Sequence, residues 1–169
     1  MKLTRRHLLA ALAAMPVAGG LGAAGAAWRW WERPAGEGLK ALSASEADFV
    51  DALAEAWMPP GGDPPISGRE ARVAQFFDDV VAGMAPGSGS ELRLLLRILD
   101  DLAVPFAGAP FRTLGLDARV ALLGRWLHHD QWLLRNAVQA VVVLCGTGYT
   151  THPEVAPVLQ PWFACGYGR

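Results

Sequence analysis

The histidines are the side chains in this sequence most able to hold a metal ion or to move a proton. His7 lies near the N-terminus and His152 near the C-terminus, whereas His128 and His129 are neighbours. Adjacent residues point about 100° apart around a helix, so this pair cannot readily share one ligand. A helical metal site needs two histidines four residues apart, or a histidine with acids at such spacing. Because neither pattern occurs, the sequence predicts no metal site.

The sequence also lacks a complete motif for binding a cofactor or presenting a nucleophile. The Gly-x-Gly elements at 87–89 and 146–148 lack the third glycine of a dinucleotide fingerprint, and neither follows a predicted strand. The chain contains no Gly-x-Ser-x-Gly and no Cys-x-x-Cys. The adjacent acids at 78–79 and 100–101 are interpreted as solvated helix faces. The sequence therefore predicts no catalytic residue and no cofactor bound by this chain alone.

Four polar side chains gather at one predicted helix junction. Arg125, His128, His129 and Asp130 fall within six residues. A ligand site or an active site needs a few convergent polar groups at a pocket. This cluster carries the alternative interpretation, in which the chain is a free-standing enzyme or ligand-binding domain.

The N-terminus has the pattern of an export signal. Arg5 and Arg6 follow Thr4, and the stretch from Leu8 to Ala27 carries no charge and is mostly alanine, glycine and leucine. Such a basic start, apolar middle and small-residue end is typical of a secretory signal, and paired arginines are typical of the twin-arginine route. Residues 1–27 are therefore predicted to be a twin-arginine signal peptide, with cleavage after Ala26.

Two other interpretations of this segment stay open. Twenty uncharged residues are near the minimum for a membrane span, and Trp28, Trp30 and Trp31 could lie at its interface as an aromatic belt. An uncleaved signal would then anchor the protein in the membrane. The segment could also be a buried N-terminal helix. The favoured prediction is a periplasmic protein that binds the twin-arginine translocase, which carries folded proteins and often their cofactor-bearing partners.

Composition excludes several classes of protein. Hydrophobic residues make up 52% of the 169 residues and charged residues 18%, which argues against a disordered chain. The net charge is −1, and removal of residues 1–26 leaves 12 basic and 16 acidic residues. Nucleic-acid binding is not expected, because it requires a concentrated basic surface.

The body of the chain is predicted to be helical. Residues 28–41 are predicted to be a linker and residues 42–169 a small all-α domain of about five helices. Ser43 and Glu46 have the spacing of a capping box. Apolar residues at helical spacing predict the helices, as in the stripe Phe49, Val50, Leu53 and Trp57, and Gly146 is the last stop. The predicted ranges are about 43–57, 68–84, 90–105, 117–127 and 129–145, followed by an irregular aromatic tail in which 153–159 could form one helical turn.

The two cysteines could join this tail to the last predicted helix. Cys145 and Cys165 would both meet an oxidising compartment after export. A disulfide between them would close a loop of about 20 residues, worth roughly 3 kcal/mol in the loop-entropy model. The alternative is two separate buried thiols.

The tail is rich in the residue types that anchor protein interfaces. Aromatic side chains and arginine dominate the binding energy of many interfaces. The alternative is that these side chains cover the core of their own chain. The candidate interface residues are Tyr149, Trp162, Phe163, Tyr167 and Arg169.

Two sets of residues, one at each end of the helical body, form a recognisable pattern. They are Leu42-Ser43-Ala44-Ser45-Glu46, Ala52-Leu53-Ala54-Glu55 and Met58-Pro59 at the start, and Tyr149, Pro153, Trp162 and Gly166-Tyr167-Gly168 at the end. In these residues the chain resembles the small-subunit (subunit 3) family of gluconate 2-dehydrogenase. The likeness covers about 42–168, and Trp57-Met58 departs from it where aliphatic residues are expected.

The resemblance implies an accessory subunit rather than an enzyme. Members of this family accompany a larger flavoprotein of the glucose–methanol–choline oxidoreductase type, which binds FAD and oxidises a sugar or related alcohol. Electrons then pass to a cytochrome c or another acceptor. The large subunit often lacks an export signal, so the small subunit carries the complex across the membrane. The resemblance assigns no catalytic residue to this chain.

Overall fold

The computed structural model of the chain describes residues 33–163, with side chains except at residue 86 and residues 160–163. The described residues from Pro34 onward belong to one compact unit. Every regular element in the described range is a helix, which confirms the predicted all-α class. The elements are α1 (Ala44–Trp57), α2 (Val73–Gly83), α3 (Pro86–Leu102), α4 (Val104–Ala107), a 3-10 turn (Phe111–Thr113), α5 (Leu116–Leu127), α6 (Trp132–Thr150) and α7 (Ala156–Phe163).

Helix α1 lies at the centre of the core. It packs against α2, α3, α5, α6 and the 3-10 turn. Phe49, Val50 and Leu53, the predicted apolar stripe, are almost completely buried. Trp57, predicted to continue that stripe, is 45% exposed at the end of the helix. Because α1 has neighbours on several sides, the other helices are positioned by their contacts with it.

The predicted capping box of α1 is present and also links two helices. The backbone N–H of Ser43 donates to Oε2 of Glu46 at 2.7 Å. Glu46 is 1% exposed, and its carboxylate also accepts hydrogen bonds from Arg93, at 3.1 Å, and from Arg97 on α3. Two arginines and a backbone donor compensate the cost of burying this charge.

Two predicted helix starts are wrong by several residues. Helix α2 begins at Val73 rather than near residue 68, because the chain turns through residues 68–72 and Arg72 has a left-handed backbone, with φ of 54°. Helix α3 begins at Pro86 rather than at Ser90. Proline is well suited to the first helical position, where its missing N–H has no intrahelical partner in any case. The predicted break at 85–89 is therefore largely the first turn of α3.

The predicted end of the last long helix is also wrong. Helix α6 continues through Gly146 and Gly148 to Thr150. A Cβ atom at Gly148 would lie only 2.7 Å from a ring carbon of Phe76, so this glycine allows α2 and α6 to approach closely. The tail is also less irregular than predicted, since α7 extends the expected turn at 153–159 to Phe163.

An aromatic row and one arginine hold α5 against α1. The ring of Phe111 packs edge-on against Phe49, with 5.6 Å between centroids, and stacks on Trp126 at 5.4 Å. Arg119 donates to the carbonyl oxygen of Ala52 at 3.1 Å and to Glu55 at 2.8 Å, both on α1. These contacts fix the position of α5 on α1.

Candidate docking surface

Several of the predicted functional residues lie outside the described residues. These include the twin-arginine pair, one of the two cysteines and the last interface candidates. Their predicted roles stay predictions, and so does the signal peptide. The residues concerned are Arg5, Arg6, Cys165, Tyr167 and Arg169.

Tyr149, the first predicted interface residue, packs inside its own chain. Its side chain lies in the last turn of α6 and the residue is 7% exposed. Its hydroxyl donates a 2.6 Å hydrogen bond to the carbonyl oxygen of Ile66. Burial, with the charges of Asp63 and Glu70, raises the pKa of the Tyr149 phenol. This ring covers the chain's own core, which was the alternative to a partner contact.

The other aromatic candidates within the described range belong to α7. Trp162 and Phe163 lie in the last turn of this helix, and the structure describes their backbone only. Val155, just before α7, is completely buried, so the start of α7 is held against the core. A partner contact by Trp162 and Phe163 stays a prediction.

Cys145 lies on the core side of α6. It is completely buried, and burial raises the pKa of its thiol to about 12. Such a thiol is almost entirely protonated at neutral pH and is a poor nucleophile. The proposed disulfide partner, Cys165, lies beyond the described range, so the pairing stays a prediction.

The polar cluster at the helix junction serves to end one helix and start the next. The ring of His128 bonds the carbonyl oxygen of Gly124 at 2.9 Å, and the ring of His129 accepts the N–H of Gln131 at 3.1 Å. Arg125 and Asp130 are exposed. The two imidazole rings therefore engage different backbone groups of their own turns rather than a common ligand position.

The adjacent acids are not simple solvated faces, because one member of each pair is buried. Asp78 is 4% exposed and accepts the backbone N–H groups of Lys40, Ala41 and Leu42 at 2.7 to 2.9 Å. Burial alone would raise the pKa of Asp78, but these three donors and the charge of Lys40 outweigh it and hold the pKa below its ordinary value. Asp78 thus fastens the end of the predicted linker to α2.

Asp100 has a similar structural role at the end of α3. It is 3% exposed, accepts the backbone N–H of Arg112 at 3.0 Å and forms an ion pair with the guanidinium of the same residue. These contacts hold the 3-10 turn against α3. Sequence periodicity could not reveal either aspartate's role, because their partners lie 12 or more residues away.

A polar cleft of about 580 Å³ lies beside the loop that Tyr149 contacts. Arg72, Glu70, Glu154 and His152 line it together with Ile66 and Pro153. The imidazole of His152 lies 3.4 Å from the backbone N–H of Glu154, and Glu70 accepts bonds from Ser67, which lowers the pKa of Glu70. Charges of both signs mix here on exposed side chains, so the cleft has no uniform electrostatic character.

Over residues 33–163, no three side chains of the metal-ligating types converge to form a site. None of the helices in that range combines the length and apolar character needed to cross a membrane. The notable surface within the range is apolar and belongs to α6.

The outward face of α6 exposes several large apolar side chains beside a few uncharged polar ones. Trp132, Leu133 and Val143 are 64%, 59% and 68% exposed. From Asn136 to Thr151 the sequence contains no charged residue, which spans about four helical turns. Solvent-exposed helices ordinarily carry charge on this side. A helix face that lacks charge and exposes large apolar side chains therefore indicates a contact surface.

An apolar groove lies beside this face, between α3 and α6. Its volume is about 300 Å³. On the α3 side its wall includes Leu92 and Leu95, which are partly buried. The whole lining is Met84, Leu92, Leu95, Ala140, Val141, Val143, Leu144 and Thr147. The exposed face of α6 and this groove together form the surface that we call the α6 face.

The sequence contains a signal for this surface that helical periodicity does not reveal. Residues 137–144 are almost all apolar, which predicts burial of the segment as a whole. In the structure Val138, Val141 and Val142 are buried, whereas Ala140 and Val143 are exposed. In a helix at the surface of a protein, apolar residues normally alternate with polar ones. A run that stays apolar on the exposed side as well indicates a second contact surface.

No family model, curated protein or solved structure matches the chain. The assignment of the α6 face as the candidate site therefore rests on exposure, charge and shape alone.

Proposed function

We propose that this protein is a non-catalytic small subunit of a periplasmic FAD-dependent sugar or alcohol dehydrogenase complex. In this proposal it accompanies a glucose–methanol–choline-type flavoprotein through twin-arginine export and stabilises it. The observation that carries the proposal is the α6 face, where Val143 and Leu133 expose apolar surface and the helix carries no charge from Asn136 onward. Surfaces of this kind mark protein–protein contacts.

The sequence supports the choice of partner. A twin-arginine signal at Arg5 and Arg6 suits cargo that folds before export, and the chain has no cofactor motif of its own. FAD is expected in the large subunit, where it would carry out the oxidation. A cytochrome c subunit is a further candidate partner, as the acceptor of the electrons. If the signal is not cleaved, the same segment would anchor the complex to the membrane.

The physical basis of the stabilisation is mass action. A subunit that binds only the folded flavoprotein shifts its folding equilibrium by an amount that grows with the subunit's concentration above Kd. The arrangement of α6 favours this role, because the buried contacts of Cys145 and Tyr149 hold the helix rigidly while its other face stays open. A preformed surface loses little entropy on binding.

The test is to express the chain together with its neighbouring reading frames and to purify it from the periplasmic fraction. We expect a large chain and a flavin absorption band to co-purify. Replacing Arg5 and Arg6 by lysine is expected to remove both from the periplasm, since the paired arginines are the export determinant. A colourless protein that reaches the periplasm without a partner would overturn the proposal.

A further inference from the structure

We infer that, without its partner, the protein forms an antiparallel homodimer through the α6 face. The inference starts from four positions of α6: Leu133, Ala137, Ala140 and Leu144. Their spacing of four, three and four residues keeps them within about 60° around the helix axis. They form one stripe on the groove side of α6, and Ala140 and Leu144 line the groove itself.

The stripe has large residues at its ends and small residues in the middle. Leu133 is 59% exposed, and Ala140 is exposed. Alternating spacings of three and four are those of a helix-pairing seam. Alanine at the centre allows two helix axes to approach closely, while leucines at the ends fill the space where the helices diverge.

The stripe is complementary to itself when the second helix runs in the opposite direction. A two-fold axis level with the midpoint of Ala137 and Ala140 places Leu133 against Leu144 of the second copy. The same axis places Ala137 against Ala140 of the second copy. Leu133 lies about 16 Å along α6 from Leu144, at the helical rise of 1.5 Å per residue. Each copy thus supplies both an exposed leucine and the groove that receives it.

The groove and the charge distribution favour a second copy of the chain as the occupant. The incoming α6 would also contact Leu92 and Leu95, which form the opposite wall of the groove. An isologous interface brings each residue near the axis close to its own equivalent, so a charge there would meet a like charge. No residue from Asn136 to Thr151 is charged, so no like charges of α6 meet near the axis.

The dimer would also control access to the α6 face. If the flavoprotein binds the α6 face, as proposed above, homodimer and heterocomplex exclude each other. The dimer would then keep the apolar face covered until a folded partner displaces the second copy. This regulatory role rests on the proposed function, whereas the existence of the dimer does not.

Sedimentation analysis of the purified full-length chain tests the dimer. We expect about twice the chain mass of 18.0 kDa at concentrations of about 10 µM and above. Ala140→Glu places a charge at the centre of the seam and is expected to weaken dimerisation by about 100-fold or more. Ala121→Glu is the matched control, because Ala121 is an exposed alanine within α5, and it is expected to leave the dimer unchanged.

A charge pair tests the register. In the double variant Ala137→Lys with Ala140→Glu, each lysine would face a glutamate of the second copy, and we expect the dimer to be largely restored. Ala137→Glu with Ala140→Glu is expected to stay monomeric. Circular dichroism of each variant checks that the helix content of the fold is retained.

Three results would overturn the inference. They are a monomeric wild-type chain up to about 100 µM, a dimer that Ala140→Glu does not weaken, and failure of the lysine–glutamate pair to restore association. These results leave the proposed function intact, because co-purification with a flavoprotein is a separate measurement. Conversely, a dimer that never binds a flavoprotein would remove the proposed function and keep this inference.

Discussion

The hydroxyl of Tyr149 donates a 2.6 Å hydrogen bond to the carbonyl oxygen of Ile66, 83 residues earlier in the chain. This bond ties the last turn of α6 to the proline-rich loop between α1 and α2. Because Tyr149 is 7% exposed, water has little access to take the place of either partner. The contact holds α6 in place from its inner side while its outer face stays accessible.

Tyr149→Phe should therefore destabilise the protein measurably. The substitution keeps the ring but removes the donor to Ile66, and we expect the free energy of unfolding to fall by about 1 to 2 kcal/mol. Urea denaturation followed by circular dichroism measures this change. Thr113→Val is the control, because the hydroxyl of Thr113 bonds a carbonyl at an exposed position, and the expected change there is below about 0.5 kcal/mol. Equal effects of both substitutions would contradict the structural role of Tyr149.

Glu46→Gln should be among the most destabilising single changes in the chain. Glu46 is 1% exposed and bonds Arg93, Arg97 and the N–H of Ser43. Removing its charge leaves the buried Arg97 guanidinium with one fewer anionic partner, and we expect a loss of about 3 to 5 kcal/mol. Glu91→Gln, at an exposed position of α3, should change stability by less than about 0.5 kcal/mol. A small effect at Glu46 would mean that this ion pair contributes little to the core.

The lowered pKa of Asp78 predicts that part of the stability of the fold is lost at acid pH. In the folded protein this pKa lies below the ordinary value of 3.8. The stability that it contributes is therefore fully present above that value and is lost as the pH falls through the folded pKa. Asp78→Asn should lower stability at neutral pH and flatten its decline on the acid side, measured by urea unfolding at a series of pH values. Asp79→Asn, at the exposed neighbouring position, is the control, and an unchanged acid dependence in Asp78→Asn would contradict this account.

The sequence predicts the helices well where the apolar pattern is local. The stripe of Phe49, Val50 and Leu53, and the capping pair Ser43 and Glu46, are set by spacings within α1, and both are confirmed. The predicted helix boundaries are wrong where one residue type can have two structural roles. Pro86 is expected to break a helix, but it starts α3. Gly148 is expected to help end α6, but it provides space for the ring of Phe76.

The candidate site was harder to predict, because it depends on contacts between distant elements. Tyr149 is an aromatic residue of a type common at interfaces, and only its contact with Ile66 shows that it is internal. Val143 lies in an apolar run that indicates burial, and only the packing of Val141 and Val142 shows which side of the helix is open. Asp78 has its partners at residues 40–42, 36 to 38 residues earlier, which no periodicity could reveal.

The predicted disulfide can be tested by counting thiols. If Cys145 and Cys165 are paired after export, the periplasmic protein should show no reactive thiol even after denaturation, and two after reduction. Reduction should lower stability by roughly 3 kcal/mol. Denaturation is required because native Cys145 is buried and its thiol pKa is raised to about 12, which prevents its alkylation in either case. Two thiols in the denatured but unreduced protein would exclude the bridge.

The measurement that tests the central claim most directly is co-purification of a flavoprotein by variants of the α6 face. The chain carries a tag, is expressed with its neighbouring reading frames and is purified from the periplasm, and the flavin absorption per chain is recorded. Val143→Lys places a charge on the exposed face of α6, whereas Val120→Lys places the same charge on α5, at a valine that is 43% exposed. We predict that the wild type and Val120→Lys retain the flavin band and the large chain, and that Val143→Lys loses at least about nine-tenths of both. Equal retention by Val143→Lys and Val120→Lys would show that a flavoprotein partner does not bind this face, and absence of flavin from every sample would contradict the accessory-subunit role itself.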